Sequence, residues 1–294
     1  MLELGRLNRK LVQVITAVGT NSYISGFLNG TIYKGKLKKF CVPGLNCYSC
    51  PGALGACPIG SLQAVIGSAN YYLSYYVLGT IALFGSLMGR LVCGWLCPFG
   101  LIQELIHKIP SKKIRISGKN PLKYLKYIIL ISFVILMPML IVNKLGMGDP
   151  YFCKYICPAG TLEAGIPLVL MNPSLKQAIG IIFSWKVFLL LVTIVGSILI
   201  ARPFCRFICP LGAIYGLFNP VSFYRLEVSN EKCIRCNKCT KTCPVSVETY
   251  KTPNSPECIR CGECIKACPT KAISSKFGLK EGEGTGGIKV EKNN

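Results

Sequence analysis

Two closely spaced copies of one cysteine pattern near the carboxyl end constrain this chain more than any other feature. The first copy reads CIRCNKCTKTCP from Cys233, and the second reads CIRCGECIKACP from Cys258. Each is C-x2-C-x2-C-x3-C-P, a run that holds a pair of [4Fe–4S] clusters, the fourth cysteine of each run binding the other cluster. We therefore predict two ligand sets: set A, which is Cys233, Cys236, Cys239 and Cys268, and set B, which is Cys258, Cys261, Cys264 and Cys243.

Zinc sites and disulfides are the two alternatives for these cysteines. A zinc ribbon needs two C-x2-C pairs, but not a third cysteine two residues on and a fourth before proline. Disulfide frameworks are typical of small secreted domains, whereas this chain has 294 residues and is 51% hydrophobic. The spacing therefore favours two clusters.

The composition indicates a membrane protein. Charged residues make up 16% of the chain and its mean hydropathy is +0.45, while soluble domains average about 25% charged residues. The formal charge is +22, but each cluster with its four thiolates carries about −2, which offsets part of it. The basic residues flank apolar stretches rather than forming one stripe, so we predict no binding to nucleic acid. The chain has one histidine, which excludes a haem with two histidine ligands from this chain alone.

Four apolar stretches have the length of membrane spans. They cover residues 10–29, 70–91, 122–143 and 181–201, and Pro138 predicts a kink in the third. Residues 161–179, which prolines interrupt, predict a re-entrant or interfacial segment. The predicted fold is a membrane α-helical protein with about four transmembrane helices and a bacterial-type 2[4Fe–4S] ferredoxin (α+β) domain. The predicted boundaries are 1–224 for the transmembrane domain, 225–277 for the ferredoxin domain and 278–294 for a disordered tail.

Basic residues in the short loops predict the orientation. Residues 93–123 contain six lysines and arginines, and the amino terminus is also basic. The positive-inside rule places both segments in the cytoplasm. Four spans then return the carboxyl terminus to the same side of the cell membrane. The lysines at positions 34–39 oppose this topology, because the same alternation places them outside.

A second cysteine motif repeats through the apolar part. It reads ACPIG at 56–60, LCPFG at 96–100, ICPAG at 156–160 and ICPLG at 208–212, and the last three copies have another cysteine four residues earlier. In the predicted topology, the second and fourth copies share the cytoplasmic side and the other two share the outer side. We predict an inner cluster on one set of four, here called the inner set: Cys93, Cys97, Cys205 and Cys209.

An outer cluster is predicted in the same way. Its expected ligands are Cys50, Cys57, Cys153 and Cys157, with Cys41 and Cys47 as alternatives. The C-x3-C spacing predicts that both sulfurs lie on one helix face, and the Pro and Gly that follow bend the backbone N–H groups toward them. Apolar core cysteines and, on the outer side, disulfides are the alternatives. His107 predicts a surface or interfacial residue, with a proton-handling role near a quinone as the alternative.

The apolar spans, the C-x3-C-P-x-G copies and the double cluster run together resemble a known family, from about residue 9 to residue 270. It comprises polytopic membrane iron–sulfur proteins, including the quinol-dehydrogenase subunit of periplasmic nitrate reductase systems, the nitrous-oxide-reductase regulator and a cytochrome-oxidase assembly factor. The resemblance implies passage of electrons across the membrane. The loop CVPGLNCYSCPGALGACPIG and the motif at Cys153 depart from the nitrate-reductase type. They look like a branch seen in anaerobes and associated with flavin-bearing partners.

The predicted function is a relay of single electrons between a soluble cytoplasmic donor (a ferredoxin, flavodoxin or reductase) and an outer-face acceptor, which the resemblance suggests is a flavin-bearing protein. Two [4Fe–4S] clusters in the ferredoxin domain and one or two more at the membrane domain carry the electrons. No catalytic residue is predicted, and the chain is an electron-transfer component of an oxidoreductase system. A quinol dehydrogenase, with quinone as a partner, and a redox sensor or metal-centre assembly protein are the alternatives. A basic face around the first cluster run predicts either docking of an acidic carrier or a solvated surface: Lys232, Arg235, Lys238 and Lys241.

Overall fold

The computed structural model describes residues 8–68, 74–116, 120–143, 147–177 and 179–278. Apart from Gly278, the predicted disordered tail therefore lies outside the described residues. The described chain is mainly helical, with many short helices and one pair of strands. The α-helices of the part before the cluster runs are Arg9–Thr20, Ile24–Asn29, Pro58–Ile66, Ser74–Met88, Leu91–Trp95, Pro98–His107, Leu125–Ile129, Met137–Leu140, Tyr151–Tyr155, Pro158–Gly160, Ile166–Met171, Pro173–Gln177, Ile181–Leu199, Pro203–Phe207 and Pro210–Phe218.

Two helices in the described residues are long and apolar enough to cross a membrane. They are Pro121–Leu140 and Ile181–Leu199, at the predicted third and fourth spans. The second of these exposes large apolar side chains, including Ile181 at 89% and Leu191 at 55%. The apolar helices Tyr75–Met88 and Pro158–Met171 are shorter, and residues 69–73 of the predicted second span lie outside the described residues. The four-span topology stays a prediction.

The prediction of one continuous span over residues 10–29 is wrong. The stretch forms two helices, Arg9–Thr20 and Ile24–Asn29, separated by a turn. Asn21 ends the first helix. Its side-chain amide donates a hydrogen bond to the Ala17 carbonyl at 3.0 Å, and its backbone N–H donates to the Val18 carbonyl. Twelve residues make a helix about 18 Å long, which is short of a hydrocarbon core about 30 Å thick.

The helix at the predicted third span widens before Pro138. Residues Leu130–Leu136 form a π-helical segment between the α-helical segments Leu125–Ile129 and Met137–Leu140, and the 3-10 turn Pro121–Tyr124 starts the helix. Proline lacks an N–H and clashes with the carbonyl four residues earlier, and a wider turn relieves both problems. The helix ends two residues after Pro138, at Leu140. A second π-helical segment, Thr161–Gly165, lies in the predicted interfacial region.

The part that carries the double cluster run is closed by two strands. Tyr224–Val228 pairs antiparallel with Ile273–Phe277, so that Tyr224 faces Phe277 and Val228 faces Ile273. Between the strands lie two short helices, Lys238–Thr242 and Glu263–Ala267, one in each cluster run. Each begins after a residue with a left-handed backbone, Asn237 at φ 60° and Gly262 at φ 81°. The two runs therefore share one local geometry.

A buried ion-pair network joins this part to the apolar helices. Glu257, next to Cys258 of set B, accepts hydrogen bonds from Lys126 Nζ at 2.7 and 2.8 Å and from Arg90 Nη1 at 3.1 Å. Arg90 and Lys126 are 1% and 0% exposed. Two buried cations share one carboxylate, so removal of that carboxylate leaves both without a buried counter-charge.

We expect Glu257→Gln to lower the free energy of unfolding by roughly 3 kcal/mol, because it leaves two buried cations uncompensated. A thermal melt of the purified protein in detergent, followed by circular dichroism, measures the loss as a lower Tm. Glu248→Gln is the matched control, because the Glu248–Lys251 pair is 37% and 58% exposed and such a pair is worth about 0.5 kcal/mol. Equal melts for the two variants would contradict the role given to Glu257.

Candidate metal centres

The cysteines of set A surround a cavity near the surface. All four line it, together with Tyr250, Pro269 and Ile273. Cys236 is exposed, and Ile234 beside it is 65% exposed. The Ala272 N–H donates to Cys268 Sγ at 3.3 Å. The structure therefore brings these four predicted ligands to one place, with one edge open to solvent.

The cysteines of set B lie deeper and close to one another. Burial raises the pKa of Cys258, Cys261 and Cys264, that of Cys261 to about 12, and neighbouring thiolates of the set raise each further. The thiolate of Cys243, from the first cluster run, raises the pKa of all three. Cys243 therefore lies near the second run, as expected if the fourth cysteine of each run binds the other cluster. The Val247 N–H donates to Cys243 Sγ at 3.4 Å.

The inner set is also assembled in the structure. Its four cysteines are each 4% or 5% exposed. Burial raises the pKa of Cys97 and of Cys209, and the thiolates of Cys205 and Cys93 raise both further. Two segments more than 100 residues apart in the sequence therefore converge on one point.

On the other side of the repeat, the structure brings together four cysteines that we call the outer set: Cys47, Cys57, Cys153 and Cys157. Burial raises the pKa of Cys57 and Cys153 to about 12 each. The thiolates of these two cysteines raise the pKa of Cys157. Cys47 interacts with all of the other three. Cys50 instead points to Asn21, with its sulfur 3.6 Å from Oδ1. The geometry thus favours Cys47, the predicted alternative, over Cys50, and Cys41 lies outside the set.

The turn after each Cys-Pro has the predicted effect on the backbone. The Gly212 N–H donates to Cys209 Sγ at 3.4 Å, and the equivalent glycine N–H groups at 60, 100 and 160 lower the pKa of the cysteines three residues before them. The prediction that both sulfurs of a C-x3-C pair lie on one helix face is wrong, however. Cys97 precedes a helix with an extended backbone instead of continuing Leu91–Trp95, because a residue before proline avoids the helical region.

The donor sets fit [4Fe–4S] clusters. In the residues that the structure describes, no three His, Cys, Asp or Glu side chains are grouped so that they could hold a single metal ion. A cluster spreads its four cysteines further, because each thiolate binds a different iron. Buried thiols with raised pKa values need positive charge nearby to ionise, and iron supplies it.

Two glutamines that the short cysteine motifs do not predict contact the cysteines. Gln103 Nε2 donates to Cys205 Sγ at 3.1 Å, and Gln63 Nε2 donates to Cys153 Sγ at 3.2 Å. Each lies six residues after the cysteine of a C-P-x-G motif, so two of the four copies extend to C-P-x-G-x-x-Q. A comparison of the four copies over a longer window would have revealed this position.

Buried arginines, which the cysteine motifs do not predict either, line the inner set. Arg202 donates to the carbonyls of Cys93 and Gly94, and Arg90 donates to the Cys205 carbonyl at 3.0 Å. Glu104 pairs with Arg202 at 2.9 Å and with Arg9 at 2.8 Å. These cations lie close to where a cluster and its thiolates would concentrate negative charge.

The loop of set B packs directly on the inner set. Trp95 Nε1 donates to the Arg260 carbonyl at 3.0 Å, and a Cβ atom on Gly94 would lie 2.2 Å from the Ile259 carbonyl oxygen. Gly94 follows Cys93, and Ile259 follows Cys258. No atom larger than hydrogen fits on Gly94, so the two cysteine loops touch through their backbones.

The outer set has a buried carboxylate beside it. Glu163 Oε2 accepts the N–H of Cys47 at 2.7 Å, and its Oε1 has no hydrogen-bond partner among the described residues. Lys38 is also buried, and its Nζ donates to the Ala53 carbonyl at 2.7 Å. His107, by contrast, contacts the apolar helix Ile181–Leu199 instead of a cysteine set. Its Nδ1 is 2.9 Å from the Ser197 carbonyl.

We expect Gly94→Ala to separate the loop of set B from the inner set, because the new methyl would overlap the Ile259 carbonyl. Limited proteolysis between the apolar helices and the strand at Tyr224 should then be faster than in the unaltered protein. Gly79→Ala is the control, since nothing lies within 4 Å of a Cβ atom there. Equal cleavage rates in the two variants would show that the contact does not hold these loops together.

Two family models match the chain. One, described as a 4Fe-4S binding domain, matches three times, at residues 72–117, 127–166 and 181–224. The other, described as a 4Fe-4S dicluster domain, matches residues 225–269. The three repeats of the first model contain the three C-x3-C-P-x-G motifs, and the second contains sets A and B.

The chain is also similar to curated proteins. It is 28% identical to the uncharacterized protein MJ0750 of Methanocaldococcus jannaschii over 76% of this chain and 88% of that protein. It is 26% identical to the putative electron transport protein YccM of Escherichia coli, over 65% of this chain and 50% of that protein. It is 27% identical to the ferredoxin-type protein NapH of Haemophilus influenzae, over 65% of this chain and 57% of that protein. No solved structure matches the chain.

Proposed function

Because the chain is a ferredoxin-type iron–sulfur protein related to NapH, we propose that it is a membrane-integral relay for single electrons. The relay connects a soluble cytoplasmic donor with an acceptor at the outer face. Four [4Fe–4S] clusters, one on each cysteine set, supply the one-electron chemistry when bound. The observation that carries the proposal is the backbone contact between Gly94 and Ile259, since it joins the loops of set B and the inner set.

The residues of the chain hold, shield and separate the four sites. Set A is open to solvent at Cys236, which suits exchange with a soluble partner. Set B and the inner set are buried, and burial keeps water and oxygen away from the sulfurs. Arg90 and Arg202 place positive charge beside the inner set. The order from the surface inward is therefore set A, set B and the inner set.

The exposed apolar helices support the membrane part of the proposal. Ile181–Leu199 carries Phe188 and Val195 exposed at 54% and 55%, in addition to Ile181 and Leu191. A soluble monomer rarely exposes so many large apolar side chains along one helix. We propose that this helix and Pro121–Leu140 contact lipid, and that both chain termini lie in the cytoplasm, because Arg9 donates to the Gly94 carbonyl beside the inner set.

The iron content tests the number of sites. Protein purified without oxygen should hold about sixteen irons and as many acid-labile sulfides per chain, at four per cluster. Cys205→Ala with Cys209→Ala should lower this to about twelve, and Cys41→Ala should leave it unchanged as the control. A value of about eight in the unaltered protein would contradict both membrane-domain clusters and with them the relay.

The outer ligand is tested separately. We propose Cys47 as the fourth ligand, so Cys47→Ala should lower the iron content to about twelve per chain while Cys50→Ala should keep about sixteen. The opposite result would assign Cys50. Both cysteines lie in one loop, so each variant is the control for the other.

The basic face offers a docking site for an acidic donor. Arg235 and Lys238 are exposed beside the open edge of set A. We expect Arg235→Glu with Lys238→Glu to slow reduction by an acidic ferredoxin about tenfold at low salt, because complementary charge mainly raises association rates. Stopped-flow absorbance measures the rate, with exposed Lys36→Glu as the control. An equal slowing by Lys36→Glu, or a deficit that persists at high salt, would contradict docking at this face.

A quinol dehydrogenase is the second candidate, and one cavity favours it. A cavity of about 480 Å³ lies between the start of the Pro121–Leu140 helix and the part that carries the cluster runs. Tyr124 and Tyr127 line it on one side. Thr240 lines it on the other, and its buried hydroxyl has no partner in the part of the chain that the structure describes. Reduction of the clusters by a soluble quinol, with loss of that reduction in Tyr127→Trp, would support this function over a soluble donor.

A further inference from the structure

Gln63 and Gln103 occupy equivalent positions in two copies of the repeat. Both side chains are nearly inaccessible, at 0% and 1% exposed. Each donates to the first cysteine of a C-x3-C-P motif that lies about 90 or 100 residues further along the chain, Cys153 and Cys205 respectively. In both cases a phenylalanine precedes that cysteine. The same contact is therefore built twice.

The hydrogen bonds around each amide fix which end faces the sulfur. Gln103 Oε1 accepts the N–H of Phe204 at 3.2 Å, and Gln63 Oε1 accepts the N–H of Phe152 at 2.9 Å. The second hydrogen of each Nε2 goes to the carbonyl four residues earlier, Phe99 or Ile59, at 3.3 Å. A rotated amide would place its oxygen against that carbonyl and its nitrogen against an N–H. The N–H therefore points at the sulfur in both sites.

An N–H bond to a ligating sulfur acts differently on the two redox states. A reduced cluster carries one more negative charge, part of which resides on the sulfurs, so the bond stabilises the reduced state more than the oxidised one. Hydrogen bonds to the sulfurs are among the factors that set cluster reduction potentials. The interior strengthens the effect, because water does not screen it.

We propose that Gln63 and Gln103 are equivalent positioning residues that raise the reduction potentials of the outer and inner clusters. The inference rests on the proposed function, since it requires clusters on both sets. Each site receives one glutamine N–H bond, so the two glutamines shift the two potentials in the same direction by a similar amount.

The test is a redox titration of the full chain in detergent, followed by electron paramagnetic resonance. Gln103→Leu should lower the reduced-to-oxidised ratio of one cluster at a fixed potential by about threefold to tenfold. A tenfold change in this ratio corresponds to a shift of about 59 mV in the reduction potential of a one-electron couple. Gln63→Leu should shift a different cluster by a similar amount. Each variant is the control for the other, and the signals of sets A and B should not move in either.

A second variant separates the sulfur contact from support of the fold. Gln103→Glu keeps an oxygen for the Phe204 N–H but removes the amide donor, so it should also lower the ratio. Full iron content with unchanged potentials in both Gln103 variants would overturn the inference. Loss of about four irons in Gln103→Glu would also overturn it, because the glutamine would then be needed for cluster retention rather than for potential.

The iron content of the unaltered protein distinguishes this failure from failure of the relay. About eight irons per chain would remove the clusters on which both proposals depend. About sixteen irons with unmoved potentials would leave the relay intact and overturn the role of the glutamines alone.

Discussion

Ionising four neighbouring thiols inside an apolar interior costs free energy, and much of this structure is arranged to lower that cost. Burial raises the pKa of Cys97, Cys205 and Cys209 in the inner set. Three kinds of donor oppose that effect. They are the glycine N–H groups that follow Cys-Pro, the glutamine amides, and the buried guanidinium groups of Arg90 and Arg202. Without compensation of this kind, the thiols would stay neutral and bind no metal.

The same compensation explains how the two parts of the chain are joined. Arg90 bonds the carbonyl of Cys205 and the carboxylate of Glu257, which is next to Cys258. One side chain thus touches the segments of two cysteine sets and balances charge in both. Asn219 adds two bonds to this junction, to the carbonyls of Ser255 and Cys258. The junction is polar and buried, so its members depend on one another.

Local cysteine spacing predicted which cysteines lie near one another, whereas hydropathy did not predict the break in the first apolar stretch. The structure assembles sets A, B and the inner set from the predicted residues, because C-x2-C and C-x3-C-P constrain the backbone directly. The break at Asn21 was missed, because apolar content does not reveal a side chain that bonds its own helix end. The choice between Cys47 and Cys50 depended on long-range packing against Cys157. The residue six positions after the cysteine of each C-P-x-G motif bonds a distant segment, a regularity that no single copy reveals: Gln63, Gln103, Glu163 and Tyr215.

The cysteine pairs of the membrane part alternate along the chain between the outer and inner sets. Cys47 and Cys57 are followed by Cys93 and Cys97 of the inner set. Cys153 and Cys157 of the outer set come next, and Cys205 and Cys209 of the inner set come last. The two sets therefore interleave, and the stretch that contains the whole outer set, residues 47–157, also contains half of the inner set. During synthesis from the amino end, the outer set is complete first, the inner set second and the cluster runs last. If clusters are inserted as the sets are completed, set A, whose Cys236 is exposed at the surface, receives its iron last.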